Sequence, residues 1–192
     1  MTARIITLAD FQASLPKKPV PREDQDFHKL FNSARDLRTL SPTIPPNEVA
    51  VMDWAGLRDW FQQELSKEVF ARRLFQRSIL LSIYFVSDLL VAFTRGEHRE
   101  IGIEEHLERY VSSGDSAEVL RAANSAFLFF VFWPEMRSHR SLSYRKFAIQ
   151  HGPPLYANYA GMTRRNAGYD MADAFEPLGD IARLRFAKSS SS

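Results

Sequence analysis

Ala126-Phe127-Leu128-Phe129-Phe130-Val131-Phe132 is the stretch on which the fold class turns. Seven apolar residues in a row, four of them phenylalanine, suit a buried strand, because aromatic residues favour extended chain. They suit equally a helix that is covered on most sides. The residues upstream decide between the two. Asp115 followed by Glu118 has capping-box spacing, with Asp in place of Ser or Thr. An alanine-rich lead-in then joins this cap to the aromatic run. The reading is a helix that reaches Trp133 and is closed by Pro134.

Toward the N-terminus lies a second apolar run, Ile79 to Phe93. It falls short of the roughly 20 apolar residues that a membrane-spanning helix needs, and Asp88 sits inside it. It reads as a buried core helix, so membrane association is not expected. The periodicity extends that helix from about Lys67 to Phe93, with Phe70 and Leu74 inward against Arg72, Arg73 and Arg77. Before it, Asp53 is a candidate N-cap for a helix whose stripe is Trp54, Leu57, Trp60 or Phe61, and Leu65. Gly96 and Gly102 bracket a polar turn. A short helix from Ile103 to Ser112 follows, with Ile103, Leu107, Tyr110 and Val111 inward and Gly114 ending it.

Beyond Pro134, Ser141 caps a helix to Gln150, with Gly152 as its stop. Pro153 and Pro154 open the next, from Leu155 to about Arg165, because proline suits a first turn. The last helix spans about Asp170 to Ala187. Met171, Phe175, Leu178 and Ala182 line one face, and Pro177 kinks or splits it. No internal repeat and no alternating strand pattern is present. The expected fold is all-α, a single helical bundle of about six to eight helices over residues 49–188, with a serine tail at 189–192.

Residues 1–48 form a separate N-terminal arm. They hold six of the ten prolines and none of the eight glycines, the composition of a stiff connector. Leu15-Pro16-Lys17-Lys18-Pro19-Val20-Pro21-Arg22 has the spacing of a polyproline ligand. One helix is expected in the arm, from Asp24 to Leu40. Its stripe is Phe27, Leu30, Phe31, Ala34 and Leu37, and Pro42, Pro45 and Pro46 stop it. A lone amphipathic helix cannot bury its stripe, so it must dock on the bundle or on a partner.

The chain of 192 residues has no cysteine, which excludes disulfides, thiolate zinc sites and cysteine nucleophiles, and suits a reducing, cytoplasmic setting. The formal net charge is only +2, so total charge says little about partners. Its distribution says more. No Asp or Glu occurs from Met136 to Tyr169, a window that contains Arg137, Arg140, Arg145, Lys146, Arg164 and Arg165 together with Tyr144, Phe147, Tyr156 and Tyr159. Cations interleaved with aromatics suit nucleic acid, where cations meet phosphates and rings stack on bases. Tyr144, Phe147 and His151 also fall at helical spacing, which suits core residues on an ordinary basic face.

Asp88 is the only acid between Glu68 and Glu97. If buried and unpaired it is a proton-handling group or the floor of a ligand pocket. If not, it pairs with an arginine or sits on a narrow wet edge with Tyr84 and Arg95. His98, Glu105 and His106 cluster around a glycine-bounded turn and read as solvated rather than metal-binding. No GxSxG, HExxH, GxGxxG or Walker A pattern is present, and no cofactor or metal is expected. The leading functional expectation is a non-enzymatic interaction module, a small subunit or adaptor that meets a protein partner or itself. Phe27, Leu30, Phe31 and Leu37 are the candidate contacts. The alternatives are a nucleic-acid-binding protein using 136–169, and an all-α enzyme or ligand-binding protein with a pocket near Asp88.

Overall fold

The computed structural model describes residues 52–97, 102–132 and 140–187. Six helices fill them, with no strand among the described residues. They are α1 (Trp54–Ala71), α2 (Arg77–Thr94), α3 (Ile103–Ser113), α4 (Ser116–Phe132), α5 (Arg140–Thr163) and α6 (Asn166–Phe186). The fold is the all-α bundle expected. The N-terminal arm, including Phe27, Leu30, Phe31 and Leu37, lies outside the described residues.

The decisive run 126–132 is helical, as its cap and alanines imply. Ala126 through Phe132 are all buried, so α4 is the most enclosed helix. Its start departs from the expected capping box. The Asp115 carboxylate does accept from Ala117 N–H at 2.9 Å. Glu118, however, turns away to His106 and Arg121 instead of reaching back to the cap. α6 packs on α1, α2, α4 and α5, and its Phe175 sits at the centre of an aromatic cluster. Phe127 meets Phe175 edge-on at 5.4 Å, and Phe130 and Tyr156 lie 5.7 and 6.2 Å from it. A second cluster, Trp60, Phe61 and Phe186, joins α1 to the C-terminal end of α6. The buried Glu64 carboxylate reinforces that junction by binding Lys67 at 2.6 Å and Arg185. Those two cations hold Glu64 below the usual carboxylate range despite its burial.

Several boundaries differ from the sequence reading, each for a physical reason. α1 runs on through Ala71, and the break falls at 72–76 instead of before Lys67. Arg73 adopts a left-handed φ of 57°. Leu74 N–H then reaches Val69 O at 3.0 Å and Arg73 N–H reaches Phe70 O at 3.1 Å, the Schellman pair that ends a helix. The end of α2 repeats the motif, with Gly96 at φ 96° and Glu97 N–H on Ala92 O. One stop carries glycine and the other does not. Phe70, placed inward by periodicity, is exposed as a result.

The expected stop at Gly152 does not occur. α5 is one helix that keeps Pro153 and Pro154 inside it, although two prolines remove two backbone donors. Packing on both sides of the diproline outweighs that loss. A Cβ built on Gly152 would lie 2.2 Å from Phe175 Cε2, so the glycine is a socket for a buried ring. Gly179 on α6 is a matching socket for Phe130, whose Cδ1 and Cε1 would lie 2.4 Å from a Cβ there. Likewise α6 begins at Asn166, earlier than expected, and continues through Pro177 to Phe186.

Candidate functional site

Asp88, the first candidate, is not buried. Its side chain is 53% exposed and sits 3.8 Å from Arg58 Nη1. Of the two readings of Asp88, the arginine pair on a wet edge with Tyr84 and Arg95 is the one that holds, and the buried, proton-handling carboxylate is corrected to that surface pair. α2 buries the rest of its circumference against α1 and α6, and only one line of it stays wet. Asp88 is on that line because 100° per residue brings positions 77, 81, 84, 88 and 95 to one side of a helix.

Among the described residues, the cations of the acid-free segment lie at the two ends of α5. Lys146 is exposed near the start of α5, and Arg164 and Arg165 are exposed just past its end. Eighteen residues of helix separate Lys146 from Arg164, about 27 Å. Arg140, Tyr144 and Arg145 belong to the first turns of α5, but their side chains lie outside the described residues, as does Arg137 altogether. Two of the rings expected to interleave with these cations, Tyr156 and Tyr159, are in the core. Tyr156 is fully buried, where its hydroxyl donates to Asn124 Oδ1 at 2.8 Å and burial pushes its pKa well up. Tyr159 is buried too, and accepts a long 3.3 Å contact from Arg165. Phe147 is half-buried against the His151 ring, whose pKa burial lowers.

His106 was expected to be solvated and is 4% exposed. Its Nδ1 lies 2.7 Å from Glu118 Oε2, which makes that nitrogen the protonated one facing a carboxylate. Arg121 binds the other carboxylate oxygen. The bond from His106, aided by the Arg121 charge, holds Glu118 below the usual range. Residues 103, 106, 107 and 110 are thus the inner face of α3, and Val111 is outside. The choice of Val111 over His106 followed side-chain type. The actual partner, Glu118, lies on the next helix, where local spacing does not reveal it. Among the described residues, no three of His, Asp and Glu are grouped as a metal site.

A different surface stands out. The wet line of α2 consists of Arg77, Leu81, Tyr84, Asp88 and Arg95, and it carries apolar side chains. Leu81 is 46% and Tyr84 63% exposed. At one end lies the α1–α2 turn, where Phe70 and Phe75 are both more than half exposed and touch at 5.6 Å. Exposed Arg72, Arg73 and Arg77 lie within two residues of that ring pair in sequence, and Arg72 also faces Glu68 at 3.5 Å. At the other end the Arg95 guanidinium lies over the half-exposed Trp54, 5.6 Å from its ring, and its Nη2 donates to Met52 O at 3.4 Å. Of nine large apolar residues exposed among the described residues, five lie on this line or at its ends: Trp54, Phe70, Phe75, Leu81 and Tyr84. Val91 falls on the same side of the helix and is fully buried, so the line is interrupted between Asp88 and Arg95. The same helix is long and apolar enough to cross a membrane by length and composition alone, with 56% of it buried in the bundle.

Comparison with known protein families, with curated proteins and with solved structures finds no match to this chain.

Proposed function

We propose that this chain is a non-enzymatic interaction module whose docking face is the exposed line of α2 and its two ends. The observation that carries the reading is the concentration of exposed apolar residues there, on a hairpin whose ends are both closed by hydrogen-bonded stops. The partner this face suits is a protein with an amphipathic helix. Its apolar stripe would cover Leu81 and Tyr84, and acidic residues near one end of the stripe would meet Arg72, Arg73 and Arg77. A protein suits the face better than a nucleic acid. Phe70 and Phe75 spend part of their ring surface on each other at a tilt of 55°, and the line runs from cations into an acid, Asp88.

The test is binding of a purified partner to the full chain, compared with the Leu81→Asp/Tyr84→Asp double variant. Both residues are exposed, so the fold should tolerate the change. A buried aromatic anchor contributes about 2 kcal/mol or more, so affinity should drop about thirtyfold. Equal affinity would refute the assignment. Labelled single-stranded DNA, duplex DNA and RNA at two salt concentrations supply the contrary outcome. Binding that falls steeply with salt, and that is lost when Arg137, Arg140, Arg145, Lys146, Arg164 and Arg165 become Glu, would replace this reading with the nucleic-acid one.

A further inference from the structure

We infer that one end of the bundle, formed jointly by the α1–α2, α3–α4 and α5–α6 turns, is a docking surface for an anionic lipid bilayer. This surface lies beyond the proposed docking face and shares with it only the α1–α2 turn and Arg77. Contacts between the helices bring the three turns to one end. α5 and α6 run antiparallel: a Cβ on Gly152 would meet Phe175, and one on Gly161 would lie 3.5 Å from the Tyr169 hydroxyl. α4 and α6 run parallel, with Phe127 against Phe175 and Phe130 against Gly179. α4 is therefore antiparallel to α5. Phe93 on α2 stacks on Phe132 of α4 at 4.9 Å, and Tyr156 on α5 meets both Phe85 of α2, at 5.9 Å, and Asn124 of α4. Phe85 to Phe93 and Asn124 to Phe132 are both eight residues, so α2 and α4 run side by side in the same direction. α2 begins at Arg77 and α4 at Ser116, each eight residues above its contact with Tyr156, and α5 ends at Thr163, seven residues above Tyr156. At 1.5 Å per residue those rises are about 12, 12 and 11 Å, so the three turns are level.

Five of the nine large apolar residues exposed among the described residues lie at this end: Phe70 and Phe75, Val111, and Met162 and Tyr169, at least one for each turn. All five fall within the last four residues of one helix, the turn, or the first four residues of the next helix. The same limits enclose five cations, Arg72, Arg73, Arg77, Arg164 and Arg165, and three acids, Glu68, Asp115 and Glu118. Every one of those arginines is exposed. The acids are engaged within the fold. Glu68 faces Arg72 at 3.5 Å, Asp115 accepts from Ala117 N–H, and Glu118 is buried against His106 and Arg121. The excess of cations therefore falls on the α1–α2 and α5–α6 turns.

Apolar tips beside guanidinium groups at one level suit the interface of an anionic bilayer. Rings and aliphatic side chains enter the acyl boundary, while the arginines stay among the headgroup phosphates. A narrow partner would meet one turn at a time, whereas a flat, broad surface meets all three together. Nucleic acid suits this end less well, because Val111 and Met162 offer no ring on which a base can stack. The contact is peripheral. α2, the one described helix apolar enough to cross a membrane, is 56% buried within the bundle.

Co-sedimentation of the full chain with lipid vesicles tests this. The chain should bind vesicles of phosphatidylcholine mixed with phosphatidylserine, should not bind phosphatidylcholine alone, and should bind less as salt is raised. An arginine near an anionic surface contributes about fivefold in partition, so Arg73→Gln/Arg77→Gln/Arg164→Gln should weaken binding about a hundredfold. Met162→Asp/Tyr169→Asp should weaken it as well. The chain has no cysteine, so a polarity-sensitive label can be placed at single sites. On mixed vesicles, labels at Phe75→Cys and Met162→Cys should report an apolar setting, and a label at Leu184→Cys, exposed near the other end of α6, should not. No binding to mixed vesicles, equal binding to both kinds, or an equal response at Leu184→Cys and Met162→Cys overturns the inference. Binding of RNA or duplex DNA through the same three arginines, with vesicles unbound, overturns it too. Partner binding that depends on Leu81 and Tyr84 is a separate readout, so the docking face and the bilayer contact can each fail alone.

Discussion

Replacing Gly152 with alanine separates a packing socket from a helix stop. In an exposed helix interior the change gains about 1 kcal/mol, because glycine is the poorer helix former. Here the added Cβ would sit 2.2 and 2.3 Å from Phe175 Cε2 and Cζ. Carbon atoms prefer about 3.5–4.0 Å, so ring and helix must separate by more than 1 Å. Phe175 has no room to yield, since it is fully buried and is ringed by Phe127, Phe130 and Tyr156. Overpacking of a dense core costs about 1–3 kcal/mol. The expected outcome is net destabilisation of about 1–3 kcal/mol, read as a lower urea midpoint at unchanged slope. Phe175→Leu removes the atoms that clash. The double variant should therefore be more stable than the two single losses predict, with a coupling of about 1 kcal/mol or more. A neutral or stabilising Gly152→Ala, or a cycle with no coupling, would refute the socket.

Four further outcomes follow from the same geometry. Arg73→Gly should raise stability by about 1 kcal/mol, because glycine carries no steric cost at φ 57°; a loss would show that Arg73 makes a contact that outweighs its strain. Tyr156→Phe strands the buried Asn124 acceptor and should cost about 1–3 kcal/mol, and Asn124→Leu added to it should cost less than the sum of the two single changes; additive losses would argue against the bond. Glu118 has its folded pKa lowered, so its stabilisation is complete above its ordinary value of 4.5 and fades as pH falls through the folded value. Glu118→Gln should therefore flatten the acid limb of the stability–pH curve, and an unchanged limb would refute that coupling. Asp88→Asn should change stability by no more than about 0.5 kcal/mol, because the pair with Arg58 is long and exposed; a larger loss in urea unfolding would restore a structural role.

What could be read from the sequence follows the range of the interactions involved. The run 126–132 was decided by a cap and alanines within a dozen residues, and it is helical. The end of α1 was missed because its stop uses arginine in the left-handed region, where no glycine or proline flags it. The unbroken α5 was missed because a diproline is a strong local signal, whereas the contact that overrides it, Phe175 in the Gly152 socket, comes from α6. The candidate sites divide in the same way. Tyr156 and Tyr159 looked available for stacking because their burial depends on helices far along the chain. The wet edge of α2 was legible in part, since Tyr84, Asp88 and Arg95 already fall on one side by spacing. Leu81 completes that line, but in a run of apolar residues nothing local distinguishes it from its buried neighbours.

The proposed docking face rests on apolar residues that the bundle does not fully bury. α2 already buries Ile79, Ile83, Val86, Leu89, Leu90 and Phe93 on its other sides. Full burial of one such side chain stabilises by about 1.5–3 kcal/mol, while Leu81, 46% exposed, and Tyr84, 63% exposed, forgo part of that gain. Schellman bonds close the turn that carries Phe70 and Phe75, and Arg95 donates to the Met52 carbonyl at 3.4 Å. If the proposed face is covered by a partner, side chains already held by these bonds lose less conformational entropy than free ones would.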